Sequence, residues 1–228
     1  MKLCFVFAME HEAKYLFEHA TTLSTESLGF AKLHHLEANG HVFYACVTGV
    51  GKVLSGMGVA SAILTHPEID AFVNLGIGGS LNPEKAPLLS AVIGERFAQH
   101  DMDTQAVGDP LGYLSGLDRI FLPSDSKLNG LLQESCRKNG ISHYLGGIAS
   151  GDKFIADKKD KDAIVEAFGA TMIEMEAAAM AEACYVYNKP FASLRIVSDT
   201  GHGDEYMKYR FAAGEKACQV GMTLLELC

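Results

Sequence analysis

Basic residues are scarce in this chain. Its 228 residues hold 19 Lys and Arg against 28 Asp and Glu, for a formal net charge of -9. A protein that grips nucleic acid needs cations to neutralise phosphates, and docking on anionic lipid needs the same. The balance argues against both. Paired cysteines are lacking as well. Cys4, Cys46, Cys136, Cys184, Cys218 and Cys228 include no C-x-x-C pair, and four of them sit in apolar runs, where a thiol behaves as a small hydrophobe. A metal finger and a disulfide framework are therefore not expected, and the expectation is a reduced, cytoplasmic protein. No uncharged apolar run reaches the roughly 18 residues of a membrane span, and Glu10 and Glu12 arrive too early for a signal peptide. A soluble globular protein with a small ligand remains. A chain of this length buries about 70% of its unfolded surface, so it needs neither metal nor disulfide to fold.

Apolar runs alternate with helical patterns. Leu3 to Ala8, Ala71 to Leu75, Leu88 to Phe97, His143 to Ala149, Ala170 to Ile173 and Phe191 to Val197 read as strands,. Lys32 to Glu37 and Val42 to Thr48 read as a hairpin turning at Asn39-Gly40,. Helical spacing covers Glu10 to Ala20, Gly51 to Leu64, Lys127 to Asn139, Met175 to Asn188 and about Asp204 to Leu227,. The segment Gly76 to Ser80 reads as a glycine loop, and Gln99 to Pro123 as a long loop of the kind that is functional or covers a partner,. The alternation predicts one α/β domain, with a mostly parallel sheet covered by helices.

Ligands of such sheets bind beyond the carboxyl ends of the strands. Carboxylates recur there: Glu10 and Glu12 after the first strand, Glu174 and Glu176 after the strand at Thr171, and Asp199 after the strand at Phe191. That placement suggests acid/base chemistry without a metal.

Several familiar motifs fail. Gly49-Val50-Gly51-Lys52 has Cys46 where a P-loop needs Gly and Val53 where it needs Ser or Thr, so it reads as a tight strand-to-helix turn,. His11-Glu12 lacks the second histidine of a zinc helix, since Tyr15 stands there,. His100-Asp101-Met102-Asp103 reads as a polar loop, and Asp152 as a turn residue or helix cap,.

Five segments in order carry a resemblance: Ala8-Met9-Glu10-His11-Glu12, Gly49-Val50-Gly51-Lys52, Ser150-Gly151-Asp152-Lys153-Phe154, Ile173-Glu174-Met175-Glu176-Ala177 and Arg195-Ile196-Val197-Ser198-Asp199. The chain resembles the methylthioadenosine/S-adenosylhomocysteine nucleosidases of the purine nucleoside phosphorylase-like superfamily, from Met1 to the final helix. The resemblance implies a single domain over residues 1–228, with a central mixed, twisted β-sheet flanked by helices. It implies hydrolysis of an N-glycosidic bond with no cofactor and no metal. Positive charge builds on the ribose in such a reaction. By resemblance, Asp199 is the acid that protonates the adenine, with a pKa raised by burial or nearby carboxylates. Glu12 resembles the base that activates water, and Glu176 the residue that binds the ribose hydroxyls. Met175 would pack on the ribose, Arg195 would neighbour the water, Phe154 would stack on the purine, and the Ile155 backbone would read its edge. Met9, Val50, Ile77, Gly78, Glu174 and Ser198 complete the implied pocket, with Tyr206 or Tyr209 covering it.

Phosphorylases of the superfamily hold phosphate with arginines, because a dianion needs charge-assisted donors. This chain has none in its first segment and has Asn74 at the second position, which favours water. It departs from the family at Ile77, where many members carry serine, and at Gly201-His202-Gly203-Asp204. The loop around Asp103 matches a segment that enters the neighbouring subunit's site in the family, implying a homodimer. That loop carries Thr104, Val107 and Asp109 here, which implies a more polar 5′ pocket. A futalosine or aminodeoxyfutalosine hydrolase and a silent nucleoside-binding protein are the alternatives. Retention of Glu12, Glu176 and Asp199 together argues against the latter.

Overall fold

Leu3–Phe7 forms strand β1, buried along its whole length, as a strand covered on both faces must be. The computed structural model describes residues 1–228. After β1 come α1 (Lys14–His19), β2 (Thr21–Leu28), β3 (Ala31–Ala38), β4 (His41–Val47), α2 (Lys52–Thr65) and β5 (Ala71–Ser80). The middle of the chain supplies β6 (Ala91–Gln99), β7 (Leu122–Pro123), α3 (Ser126–Lys138) and β8 (His143–Ser150). The last part supplies α4 (Lys158–Phe168), β9 (Ala170–Glu174), α5 (Ala177–Val186), β10 (Phe191–Asp199) and α6 (Gly203–Leu227).

All the strands join one mixed sheet. One wing runs β2–β3–β4–β1–β5, its β3–β4 hairpin turning at Asn39 (φ 51°) and Gly40 (φ 78°). Two positive φ values define the turn that matches strand twist. From β5 the pairing continues two ways, parallel to β10 and antiparallel to β9, and β10–β6–β8–β9 closes a ring back to β5. β1 alternates between the two faces. Leu3, Phe5 and Phe7 pack with Ala213, Ala217 and Leu224 of α6, while Cys4 and Val6 pack with Val59 and Ala62 of α2. Cys4, Cys46, Cys136, Cys184 and Cys218 are buried and unpaired.

The site lies where the pairing changes hands. β1 accompanies β5 only from Ala71 to Asn74, and β9 takes over only at Gly79 and Ser80. Between them that edge of β5 has no strand beside it, so backbone groups there face a gap, as at the switch points of open α/β sheets.

Several elements differ from the sequence reading. Gly76 to Ser80 is the end of β5, not a loop. Glycine is there because side chains crowd the backbone: a Cβ on Gly76 would sit 2.6 Å from both Arg195 Nη1 and Glu12 Oε1. α1 begins at Lys14 rather than Glu10, since Met9 to Ala13 is a turn organised by the Glu12 side chain. The sheet is mixed rather than mostly parallel, because β2, β3, β6 and β9 each make antiparallel pairs. Strand β2 and helix α4 carry no clear sequence signal. β2 is a polar edge strand exposed almost throughout, and α4 buries only Ile164 and Phe168.

Candidate active site

Glu12 bridges the gap. Its Oε2 accepts from the Ala8 and Met9 backbone N–H groups at 3.1 and 3.0 Å, and its Oε1 accepts from Ile77 N–H at 3.0 Å. The carboxylate thus joins the end of β1 to the unpaired edge of β5. Gly214 and Cys218 of α6 close the turn from behind, the Cys218 thiol donating to the Glu12 carbonyl at 3.0 Å. Burial raises the Glu12 pKa despite the pull of Arg195 and the backbone donors, because low polarity disfavours the charged form.

Arg195, on β10, is 1% exposed and gathers three carboxylates. Its Nη2 donates to Glu174 and, at 3.3 Å, to Glu176, and its Nη1 donates to the Ile77 carbonyl at 3.2 Å and lies 3.9 Å from Glu12. Burial opposes its charge, yet Glu174, Glu176 and Glu12 outweigh that and raise its pKa. Glu174 closes β9 and secures the start of α5, accepting from the Glu176 and Ala177 N–H groups at 3.0 and 2.8 Å and from the Ser150 hydroxyl. Orphan N–H groups at a helix start are well served by a carboxylate. Glu176 turns back toward α2, its Oε1 accepting from Gly51 N–H at 3.0 Å. Burial, against Arg195 and aided by Glu174 and Glu12, pushes Glu176 up to about 7.

Asp199 ends β10 on the other side of the pocket. It accepts from the Ser198 hydroxyl at 2.9 Å and from Gly201 N–H at 2.8 Å. Burial raises its pKa against both of these bonds. The segment that follows is held by Glu205, which accepts from the Thr200 N–H and hydroxyl at 2.7 and 2.9 Å.

These groups line one cavity of about 150 Å³. Met9, Val50, Ile77, Gly78, Phe154, Ile155, Met175 and Ser198 line it too, together with Gly79, Lys153, Ile173 and Tyr206, of which sequence reasoning weighed only Tyr206. Phe154 stands half-exposed at the mouth, its ring edge-on to Tyr206 with centroids 6.0 Å apart. Tyr209 is not part of the lining. It sits almost one turn farther along α6, about 4.5 Å along the axis, beside the Lys208 ammonium.

The sequence did not reveal how distant segments hold these side chains. Gly49-Val50-Gly51 is a turn with φ of 96° at Gly49 and 94° at Gly51, and the freed Gly51 N–H serves Glu176 instead of a phosphate. Asp152 does cap a helix, but a remote one: its Oδ1 accepts from Lys52 N–H at 2.8 Å at the start of α2. Asp101 accepts from Asp152 N–H at 2.9 Å and pairs with the Lys52 ammonium. Its carboxylate therefore ties two loops together. No group of three or more His, Cys, Asp or Glu side chains is arranged to hold a metal ion.

The Phosphorylase superfamily model matches residues 2–226. A 5′-methylthioadenosine/S-adenosylhomocysteine nucleosidase of Actinobacillus succinogenes is 31% identical over 229 residues, covering 99% of this chain and 98% of its own. An aminodeoxyfutalosine nucleosidase of Campylobacter jejuni is 32% identical over 199 residues, covering 87% and 86%. Among solved structures, the 5′-methylthioadenosine/S-adenosylhomocysteine nucleosidase of S. pneumoniae with a transition-state inhibitor superposes with a TM-score of 0.89 at 29% identity, covering 99% of each chain.

Proposed function

The chain belongs to the phosphorylase superfamily, and from its pocket we propose that it hydrolyses the N-glycosidic bond of adenine nucleosides. Its substrates are methylthioadenosine, S-adenosylhomocysteine or 5′-deoxyadenosine, and adenine is released. The observation that carries the choice of water over phosphate is the enclosure of Arg195 by Glu12, Glu174 and Glu176. A phosphate dianion there would meet three carboxylates and a cation already engaged. Lys153 turns away to Asp160, 2.7 Å off. Asn74 is consumed by the fold, donating to the Val6 carbonyl at 2.9 Å and accepting from the Ser193 hydroxyl at 2.8 Å.

In this reading, the bond between the ribose anomeric carbon and adenine breaks with its electron pair going to the base. Asp199, protonated because burial raises its pKa, delivers its proton to the imidazole ring of the leaving adenine. Glu176 faces the positive charge that grows on the ribose. Water adds to the anomeric carbon, and Glu12 takes the proton that water loses. Phe154 stacks on the base, the Ile155 backbone reads its edge, and Met175 packs on the sugar. Exchange with solvent then resets both carboxyls.

The enzyme acts in the cytoplasm as a two-fold homodimer. Val53, Met57 and Leu64 form an exposed apolar stripe on α2, and Val50, one turn before it, lines the pocket. A partner on that stripe would stand at the pocket mouth, with its loop around Asp103 completing the site. A second reading, hydrolysis of futalosine or aminodeoxyfutalosine, draws on the Campylobacter jejuni relative and on the polar Thr104–Asp109 contact of 2.9 Å in that loop. A nucleoside panel assayed with and without phosphate tests the proposal. Phosphate-independent release of adenine is expected, and strict phosphate dependence would overturn it.

A further inference from the structure

Helix α4 reaches the site through two adjacent residues. Asp160 pairs with Lys153 at 2.7 Å, which ties the helix to the loop carrying Phe154 and Ile155. Lys161 reaches the chain just past Asp199, its Nζ donating to the Thr200 carbonyl at 2.8 Å. Thr200 is thereby held by two helices, since Glu205 of α6 accepts from its N–H and hydroxyl. Gly201, next in the chain, donates its N–H to Asp199 at 2.8 Å. A Cβ on Gly201 would overlap the Lys161 ammonium and the methylene beside it, and the residue has a φ of 95°. Glycine therefore meets two needs at once, the turn itself and room for the lysine.

A lysine on a helix surface ordinarily leaves its ammonium in water, because fixing so long a side chain costs entropy. Lys161 is partly buried, with its ammonium on a backbone carbonyl, while α4 packs through Ile164 and Phe168. We propose that Lys161 is a positioning residue for the leaving-group acid: by clamping the Thr200 carbonyl it fixes the turn whose Gly201 N–H holds Asp199 toward the base. The inference rests on the nucleosidase reading above. Because Asp160 precedes it, the same short stretch of α4 ties the loop that stacks on the purine to the turn that aims the acid. The charged and titratable groups acting on Asp199 are Lys161 from α4 and Glu205 and Tyr206 from α6, with His202 beside Glu205. Burial above all raises the Asp199 pKa, against the Ser198 and Gly201 bonds; Glu205 adds to the rise and Lys161 opposes it.

The test measures kcat and KM for methylthioadenosine across pH in the full-length protein and in Lys161→Met, Lys161→Arg and Glu205→Gln. Lys161→Met is expected to lose about tenfold in kcat with KM within about twofold, since a loosened acid costs turnover rather than binding. Removing the cation also favours protonated Asp199, so the alkaline limb of kcat should move to higher pH. Glu205→Gln removes a carboxylate and should move the limb to lower pH. Lys161→Arg keeps a cation and a donor, and should recover most of kcat with the limb in place. A Lys161→Met protein with wild-type kcat and an unmoved limb would overturn the role. So would one whose kcat falls while the limb stays and the melting temperature drops, since lost packing alone would do that. Wild-type protein that cleaves no nucleoside at any pH would overturn the nucleosidase reading, and this role of Lys161 with it.

Discussion

The Ile77 N–H donates to the Glu12 carboxylate at 3.0 Å across the gap that opens when β1 leaves β5. That bond gives Glu12 two functions in one place. It completes an edge of backbone that no strand pairs, and it fixes a buried carboxyl whose proton affinity is raised by burial. The same gap admits Arg195, because Gly76 leaves the space that a Cβ would fill.

Replacing Glu12 with Gln separates the two functions. The amide can present one oxygen, but both carboxylate oxygens accept from backbone N–H groups, so its NH₂ must face a donor. A lost general base costs about 10²–10⁴-fold in kcat, and the mismatched donor costs about 1–3 kcal/mol of stability. Steady-state assays and thermal melts measure the two losses. A variant retaining near-native kcat would show that Glu12 is structural only.

Asp199→Asn is expected to lose a similar 10²–10⁴-fold in kcat while remaining folded, because Asn can still accept from Ser198 or Gly201. The pH profile is more diagnostic. In the proposed mechanism Asp199 acts protonated, and burial raises its pKa. Wild-type kcat should therefore fall as pH rises through that raised value. The residual activity of the variant should lack this alkaline limb. An unchanged limb would move the acid's role to another group.

Much of the frame was legible because burial leaves a pattern. Leu3 to Phe7 is apolar at every position since both of its faces are covered, and Asn39-Gly40 marks its hairpin through the φ values it needs. β2 escapes notice because an edge strand in water has no apolar face to display. Gly76 to Ser80 misleads in the opposite direction, since glycine usually marks a turn, whereas here it makes room inside a strand. The strand-end carboxylates were visible as a set. Their wiring was not: Gly51 reaches Glu176, and Asp152 reaches Lys52, across 125 and 100 residues of chain.

Arg195→Met should make stability strongly pH-dependent. The guanidinium is the buried cation among Glu12, Glu174 and Glu176. Removing it leaves buried carboxylates unpaired, at a cost of about 3–5 kcal/mol near neutral pH. Glu12 and Glu176 already have raised pKa values in the folded chain, and losing the cation raises them further. The folded state then holds protons that the unfolded state has released, so stability is greatest below the ordinary carboxylate range and declines as pH rises through the folded values. Urea unfolding at pH 5 and pH 7.5 should show the gap to wild type narrowing at the lower pH. A gap of equal size at both would mean that packing, not charge, is what Arg195 supplies.

The apolar stripe on α2 gives the assembly its own test. Its buried face, with Ser55, Gly58, Val59, Ala62 and Ile63, already packs inward. Val53, Met57 and Leu64 project from the opposite side into solvent, and they fall within about 40° of one another at the 100° spacing of a helix. Water-facing residues carry no part of the monomer's core, so Met57→Asp should leave the melting temperature of an isolated subunit nearly unchanged. Across the two-fold axis of the proposed homodimer the same change places two carboxylates against an apolar surface, one from each copy. Sedimentation should therefore shift from dimer to monomer. Because Val50 at the head of the helix lines the pocket, KM should rise with the dissociation and fall again at high protein concentration. A Met57→Asp protein that sediments and turns over like wild type would place the dimer contact on another face.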